Sequence, residues 1–526
     1  MKKNRIWTGL LALSVLLCFA CCDKEDLPGS EEERVVPDDS ADDVGNAVFS
    51  QTLQIVFSSG GATVTNPLEG KGVTVSTNGN EVVVTSTVEE VEYIVSGTTT
   101  DGMLKMYSDY KFQLVLDGVN ITHADGPAIN IQSKKRVFVC LNAGTQNFLT
   151  DGSAYTTVSG EDMKAAFFSE GQLIFNGSGA LTVTGNYKHA ICSDDYVRIY
   201  EGAITAMSKV ADGMHTNDAF VMDGGALTIQ AATDGIECEK GYILINDGEI
   251  TIQSADDGIA ASYEESDPAV DPYLEIHKGR ITVTTTGTSA KAIKSRGDLI
   301  IHDGEIRVKT SQREAEGIES KKTLTINGGT IHVEAYDDCI NAANHIEING
   351  GDIYCYSTAN DGIDSNGTLT VTGGRVIAIG TSSPEEGFDC DRNTFKITGG
   401  TLIGIGGATS TPTANACTQR ALVYSGSGTA NTLFYLVSSD GKEVLTYLIP
   451  RSLSPMTLLF SSPSLEQGSY TIYSGGQTTG GTNFNGLYEG ATSSGGSQLT
   501  TFTVQSIVTT VGSQQGGTPG GGPGGR

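Results

Sequence analysis

The chain has 526 residues, more than one ordinary compact domain needs, and its 67 glycines against 13 prolines suit a β-rich chain with many tight corners. Its 62 acidic and 33 basic residues leave a formal charge of −29, which repels phosphate backbones, argues against nucleic acid as a partner and attracts cations. Solubility alone is the competing explanation of that charge until the acids are placed.

The chain opens on a targeting segment. Lys2, Lys3 and Arg5 precede an apolar run, Ile6 to Ala20, that is short for a membrane span. The run ends in Cys18-Phe19-Ala20-Cys21-Cys22, and a small residue before a Cys at such a boundary resembles a bacterial lipobox. Cys21 is the preferred lipid acceptor because Ala20 precedes it, with Cys22 the alternative. Asp23-Lys24-Glu25-Asp26 resembles the surface-export signal of Bacteroidetes-type lipoproteins; a plain secretory peptide with an acidic linker is the other reading. The expectation is a signal peptide over 1–21, a flexible acidic tether over 22–49, and an outer-membrane lipoprotein exposed at the cell surface. Its membrane contact is then the N-terminal lipid alone. Of ten cysteines, three belong to this segment. The other seven show no Cys-x-x-Cys spacing, which argues against a zinc site.

From residue 50 to about 110 short alternating strands, such as Val73–Val75 and Val82–Val84, are expected to cap the first coil of a repeating region. Two segments show the repeat. Leu324-Thr-Ile-Asn-Gly-Gly-Thr-Ile-His-Val333 and Leu369-Thr-Val-Thr-Gly-Gly-Arg-Val-Ile-Ala378 share one pattern of two alternating strands around a Gly corner. The corner recurs at Gly202, Gly225, Gly248, Gly279, Gly304, Gly329, Gly351, Gly374 and Gly400, in steps of 23, 23, 31, 25, 25, 22, 23 and 26 residues. Short strands at this period predict an all-β chain: a right-handed parallel β-helix over 50–410 with about 23 residues per coil. The 31-residue step carries an insertion, Ser262 to Pro272, predicted to project as a loop. Longer strands beyond residue 419 predict a small antiparallel sheet or sandwich within 411–512 that caps the C-terminal end, and 513–526 reads as a disordered Gly-rich tail.

A second motif opens another strand of each coil: Asp212-Gly-Met214, Asp234-Gly-Ile236, Asp257-Gly-Ile259, Glu316-Gly-Ile318, Asp338-Cys-Ile340, Asp361-Gly-Ile363 and Glu386-Gly-Phe388. Ile191 and Ile293 hold the same apolar slot. Equivalent slots of successive coils stack at roughly 4.8 Å, so the apolar residue forms an inward ladder. Small residues two places later, Cys238 and Cys390 among them, fit a tight bend, and no catalytic thiol is needed to explain them.

The acids carry the chemistry. A carboxylate stands two places before the apolar residue in seven of nine coils, and His215, Glu237, Lys294, Glu319, Asn341, Asp364 and Asp389 stand one place after it. Carboxylates stacked at strand spacing repel, and partial burial makes this worse. Protonation relieves them only with strongly raised pKa values; a hard cation relieves them at neutral pH, and calcium accepts paired carboxylates plus carbonyls. The best candidate ligand pairs are Asp234/Glu237, Asp338/Asn341 and Asp361/Asp364, with Asp257, Glu316/Glu319 and Glu386/Asp389 next. The competing reading is a solvated acidic face whose Asp residues serve turn geometry.

Val91-Glu-Tyr-Ile-Val-Ser-Gly97, Leu116-Asp-Gly-Val-Asn-Ile-Thr122, Gly126-Pro-Ala-Ile-Asn130, Gly185-Asn-Tyr-Lys-His-Ala-Ile-Cys-Ser193 and the Asp-Gly-Ile turns resemble a bacterial family of carbohydrate-binding β-helix proteins, polysaccharide-lyase-like in fold. The resemblance spans roughly residues 50–510 and implies calcium in the helix and a cellulosic or acidic pectic polysaccharide as partner. The sole Trp, Trp7, lies in the targeting segment, so no Trp platform serves crystalline cellulose. Tyr187, Tyr242 and Tyr263 are the candidate ligand-binding aromatics. An acidic protein holds an acidic glycan only if calcium bridges the two, which favours the pectic class.

A non-catalytic binding protein is therefore favoured over two rivals. A pectate-type lyase needs calcium to acidify the uronate C5 proton and a base to remove it. Relatives by fold use Lys or Arg there, and Lys291, beside Lys294 and Arg296, is the best base candidate. Against this, Lys291 and Lys294 suit salt bridges in a coil that lacks acids. The other rival is a structural surface adhesin or scaffold.

Overall fold

The computed structural model describes residues 39–265 and 267–512. The expected signal peptide, Cys21 and Cys22, most of the expected tether and the Gly-rich tail lie outside the described residues. The chain forms a short unit up to Ala47 and a large unit from Val48 onward. In the first, two 3-10 turns are described, Asp39–Ala41 and Val44–Asn46; Asp43 caps the second by accepting the Gly45 N–H at 2.8 Å.

The large unit bears out the all-β expectation: it is a parallel β-solenoid of about 14 turns with antiparallel sheets at its C-terminal end. Each coil carries three short strands, as in Ile236–Cys238, Tyr242–Ile245 and Glu249–Ser254. The first strand type stacks into one ladder in which Ile191, Met214, Ile236, Ile259, Ile293, Ile318, Ile340, Ile363 and Phe388 pair in register. All nine are fully buried, which is the predicted inward ladder. The other two ladders bury Leu299, Leu324 and Ile346, and Ile306, Ile331 and Ile353, in the same register from coil to coil. A single strand cannot bury its apolar face alone, so each coil depends on its neighbours for a core.

Two kinds of glycine hold this geometry. The corner glycines are left-handed, as at Gly351 with φ 91°. The glycine of the Asp-Gly-Ile motif serves a different purpose: a Cβ on Gly235 would stand 2.4 Å from the Gly258 carbonyl oxygen of the next coil. Close approach of backbones, not an unusual φ, requires Gly there.

At the N-terminal end, Val73–Asn78 and Glu81–Ser86 form an antiparallel pair that closes the first ladder, and Met103–Ser108 continues it in parallel. The insertion from Ser262 to Pro272 leaves the coil between Ile259–Ala261 and Leu274–Ile276, and Glu264 within it forms an ion pair with Arg296. At the C-terminal end, Thr401–Gly406 pairs antiparallel with Leu453–Ser461. A six-stranded sheet built from residues 433–504 packs Phe434, Leu436, Leu445 and Ile472 against Ile377, Ile379, Ile403 and Ile405. That cover explains why the outward positions of the third ladder change from Arg307 and Lys309 to Ile377 and Ile379.

Truncating Ile340 tests the shared core. Ile340→Ala removes a buried side chain between Ile318 and Ile363 and is expected to cost about 2–5 kcal/mol in chemical denaturation, against under about 0.5 kcal/mol for exposed Thr330→Ala.

A stacked carboxylate flank as the candidate functional site

The register that stacks the apolar ladder also stacks the residues on either side of it. The residue two places before the apolar one carries a repeated contact. Its carboxylate Oδ1 accepts the backbone N–H of the same slot one coil further on: Asp212 from Asp234 at 3.1 Å, Asp234 from Asp257 at 2.8 Å, Asp257 from Lys291 at 2.6 Å and Asp338 from Asp361 at 3.0 Å. Asp361 accepts from Glu386 in the same way. One oxygen of each of these five aspartates thus clips adjacent coils together. This contact spans adjacent coils and is not a local turn, and it leaves the second oxygen for other partners.

What meets it differs along the flank. At the N-terminal end the partners are imidazoles. His189 Nδ1 and His215 Nδ1 both lie 3.0 Å from Asp212 Oδ2, and His215 Nδ1 lies 3.1 Å from Glu237 Oε2. The two rings stack with centroids 4.4 Å apart. In the middle the partners are lysines. Lys294 Nζ lies 2.7 Å from Asp257 Oδ2, Lys291 Nζ lies 3.1 Å from Glu316 Oε1, and Lys321 pairs with Glu319. Lys291 Nζ also donates to the Glu314 carbonyl at 3.0 Å.

At the C-terminal end the acids face one another. Oxygens of Asp361, Asp364 and Asp389 lie within 4.8 Å of each other. The Asn341 amide donates to Asp338 Oδ2 at 3.2 Å and to Asp364 Oδ2 at 2.9 Å, so Asn341 joins two carboxylates. Asp389 Oδ1 accepts from Ser410 at 3.0 Å and from the Asp391 N–H at 2.9 Å. Glu386 Oε2 is buried without a hydrogen-bond partner. Among the described residues, no Lys, Arg or His forms an ion pair with these acids.

The electrostatics follow this division. Burial raises the Asp212 carboxyl, but hydrogen bonds from His189 and His215 outweigh it and hold the group below the ordinary carboxylate range. Burial disfavours the His215 cation, yet hydrogen bonds to Asp212 and Glu237 push its pKa up to about 10. Burial and then the charge of Asp257 push Asp234 up to about 9. At the C-terminal end burial and then the charge of Asp389 push Asp364 up to about 8 and Glu386 up to about 8. Asp338 rises well above the usual range through burial, then Asp364, and Asp361 rises through burial against the hydrogen bond from Glu386. With values of about 9, 8 and 8, Asp234, Asp364 and Glu386 hold protons at neutral pH unless a cation takes the protons' place.

Of the pairs expected from sequence, Asp234/Glu237 meet together with Asp212, and Asp361/Asp364 meet together with Asp389. Asp257, Glu316 and Glu319 are matched by lysines instead. Sequence reasoning did not assign Asp212 or His189 to this site; the signal was a histidine in a slot that most coils give to an acid. Of the candidate aromatics, Tyr187 stacks on Tyr155 at 4.2 Å, and Tyr155 donates to Asp151 at 2.6 Å. Tyr242 stacks on Tyr273 at 4.9 Å with parallel planes. In both pairs one ring face is turned toward the partner ring. Tyr263 lies half-buried on the insertion.

Coil, clip and stacked acids define a parallel β-solenoid with an acidic flank. Residues 78–362 match the family described as carbohydrate-binding domain-containing protein, and the chain belongs to that family. A carbohydrate-binding domain-containing protein of Acetivibrio thermocellus is 36% identical over 117 residues, covering 22% of this chain. The match spans 41% of that relative's length. A solved polysaccharide lyase-like protein from C. thermocellum, a gadolinium derivative, is 23% identical, with a TM-score of 0.36 over 61% of this chain and 96% of the other.

The lysine segment gives a direct test. Lys294→Met leaves buried Asp257 unpaired and is expected to destabilise the fold by about 3 kcal/mol, whereas Lys309→Ala, whose pair with Glu334 is exposed, costs under about 1 kcal/mol. Adding Asp257→Asn to Lys294→Met is expected to recover most of the loss in thermal melts.

Proposed function

We propose that the protein binds polysaccharide through calcium held at the C-terminal end of the flank, without cleaving it. The observation that carries this is the convergence of Asp361, Asp364 and Asp389 where no side-chain cation is paired with them. Their oxygens, with those of Asp338 and Glu386, suit a hard ion that takes six to eight oxygen ligands in flexible geometry. Calcium there supplies positive charge in place of the protons, and leaves coordination positions for a uronate carboxylate or sugar hydroxyls. An acidic, pectic-type glycan fits best, because the ion reverses a repulsion that a chain of net charge −29 otherwise imposes. Membership of a carbohydrate-binding family supports the ligand class. Lys291 supports the non-catalytic reading, because Glu316 and the Glu314 carbonyl already engage its Nζ. The lipobox-like Cys21 or Cys22 adds the proposal that the protein works at the outer cell surface, tethered by lipid.

In pull-down with polygalacturonate, retention is expected in calcium and loss in EGTA. Asp364→Asn with Asp389→Asn is expected to weaken calcium binding by more than about tenfold while circular dichroism is unchanged. Equal glycan binding by chelated, metal-free protein overturns the reading. The absorbance of unsaturated product is expected to stay flat throughout; its rise marks the lyase instead.

Stability of metal-free protein adds a second test. Asp234, Asp364 and Glu386 have folded-state pKa values raised to about 9, 8 and 8. The folded state therefore holds more protons than the unfolded one between about pH 4 and these values, so stability falls as pH rises through that window. Calcium replaces the protons. The rise in melting temperature on adding calcium is expected to be larger at pH 8 than at pH 5, with protons released on binding.

A further inference from the structure

A second, chemically different metal site stands on another corner of the coil, and we propose that Glu275, His277 and His302 bind a transition-metal ion of the zinc, copper or nickel class. Glu275 and His277 are two residues apart at the end of one second-ladder strand, Leu274–Ile276, and so project to the same side. His302 occupies the slot of His277 one coil later, after Leu299–Ile301. The imidazoles stack with centroids 4.5 Å apart and planes 15° apart. Glu275 Oε2 lies 3.4 Å from His277 Nε2 and 4.0 Å from His302 Nε2. The three ligand atoms all fall within 4.8 Å of one another.

The donor set selects the ion. Two imidazoles and one carboxylate suit zinc, copper or nickel, while calcium prefers oxygen alone. The histidines are partly exposed, so the remaining coordination positions face solvent.

A second feature orients the ligand. Asn327 Nδ2 lies 3.4 Å from His302 Nδ1. Asn349 Nδ2 donates to Asn327 Oδ1 at 3.0 Å, and Thr372 Oγ1 donates to Asn349 Oδ1 at 2.6 Å. This chain of side chains climbs the same corner through three coils and ends on the ring nitrogen opposite the Glu275 side. An amide is a donor on one side and an acceptor on the other, and a hydroxyl is both, so the chain also runs in reverse. Metal binding requires the reversed orientation, in which Asn327 Oδ1 accepts a hydrogen bond from His302 Nδ1–H and Nε2 carries no proton. Metal-ligating histidines characteristically hold their second nitrogen in this way.

Copper titration of the chelator-treated full chain, read by electron paramagnetic resonance and calorimetry, tests the proposal. One equivalent of Cu2+ is expected to bind with hyperfine structure from two nitrogens, in the presence of excess calcium. His277→Asn and His302→Asn are each expected to weaken binding by more than about tenfold, and Asn327→Leu to weaken it without changing the number of nitrogens. Unchanged copper binding in both histidine variants overturns the proposal. So does a copper signal that survives them and disappears in His189→Asn/His215→Asn, which assigns the ion to the flank instead. The result is independent of calcium: loss of calcium binding at Asp361, Asp364 and Asp389 leaves this corner as it is.

Discussion

Equivalent residues of adjacent coils lie one strand spacing apart, and a charge repeated by the sequence is therefore repeated at about 4.8 Å in space. Two like charges at that distance, in a medium of intermediate dielectric, repel by on the order of 3 kcal/mol. The core of this solenoid requires strict register, because each inward Ile lies on the next. The acids cannot step aside without breaking the apolar ladder that they flank. Every other property of the flank is an answer to that constraint.

Three answers are present in one chain. Histidines answer it around Asp212 and Glu237, lysines around Asp257, Glu316 and Glu319, and at Asp361 and Asp364 raised proton affinity remains. The first two segments carry counter-charges of their own, although Asp234 between them still rises through burial and the charge of Asp257. Among the described residues the third has none. The same repeat thus carries paired acids over most of its length and acids that face one another at one end. The outer corner with Glu275, His277 and His302 uses the register in the opposite sense, bringing like ligands together where solvent, not a core, surrounds them.

Much of this was legible in the residues. The spacing of corner glycines and the Asp-Gly-Ile turns defined the coil and its inward ladder, because strand alternation and a fixed period leave few ways to bury the apolar face. Cys238 is buried at the bend, as its small neighbours in the same slot implied. The acids were legible as a stack but not as separate sites. Asp257, Glu316 and Glu319 ranked behind Asp361 and Asp364 as ligand candidates, and Lys291, Lys294 and Lys321 pair with them. Asn341 was legible as the neighbour of Asp338, but not that its amide also joins Asp338 to Asp364.

The sequence by itself determined the period, the strands, the side of each strand that faces inward and the columns in which acids lie, since these follow from local alternation and from repetition. Only the tertiary structure decided which oxygen of each acid clips the next coil and which meets a counter-charge. It alone paired His277 with His302, and covered Ile377 and Ile403 with a C-terminal sheet. Those choices depend on side-chain reach between coils and on elements distant in the chain, where distances of one or two ångström separate an ion pair from an unpaired charge.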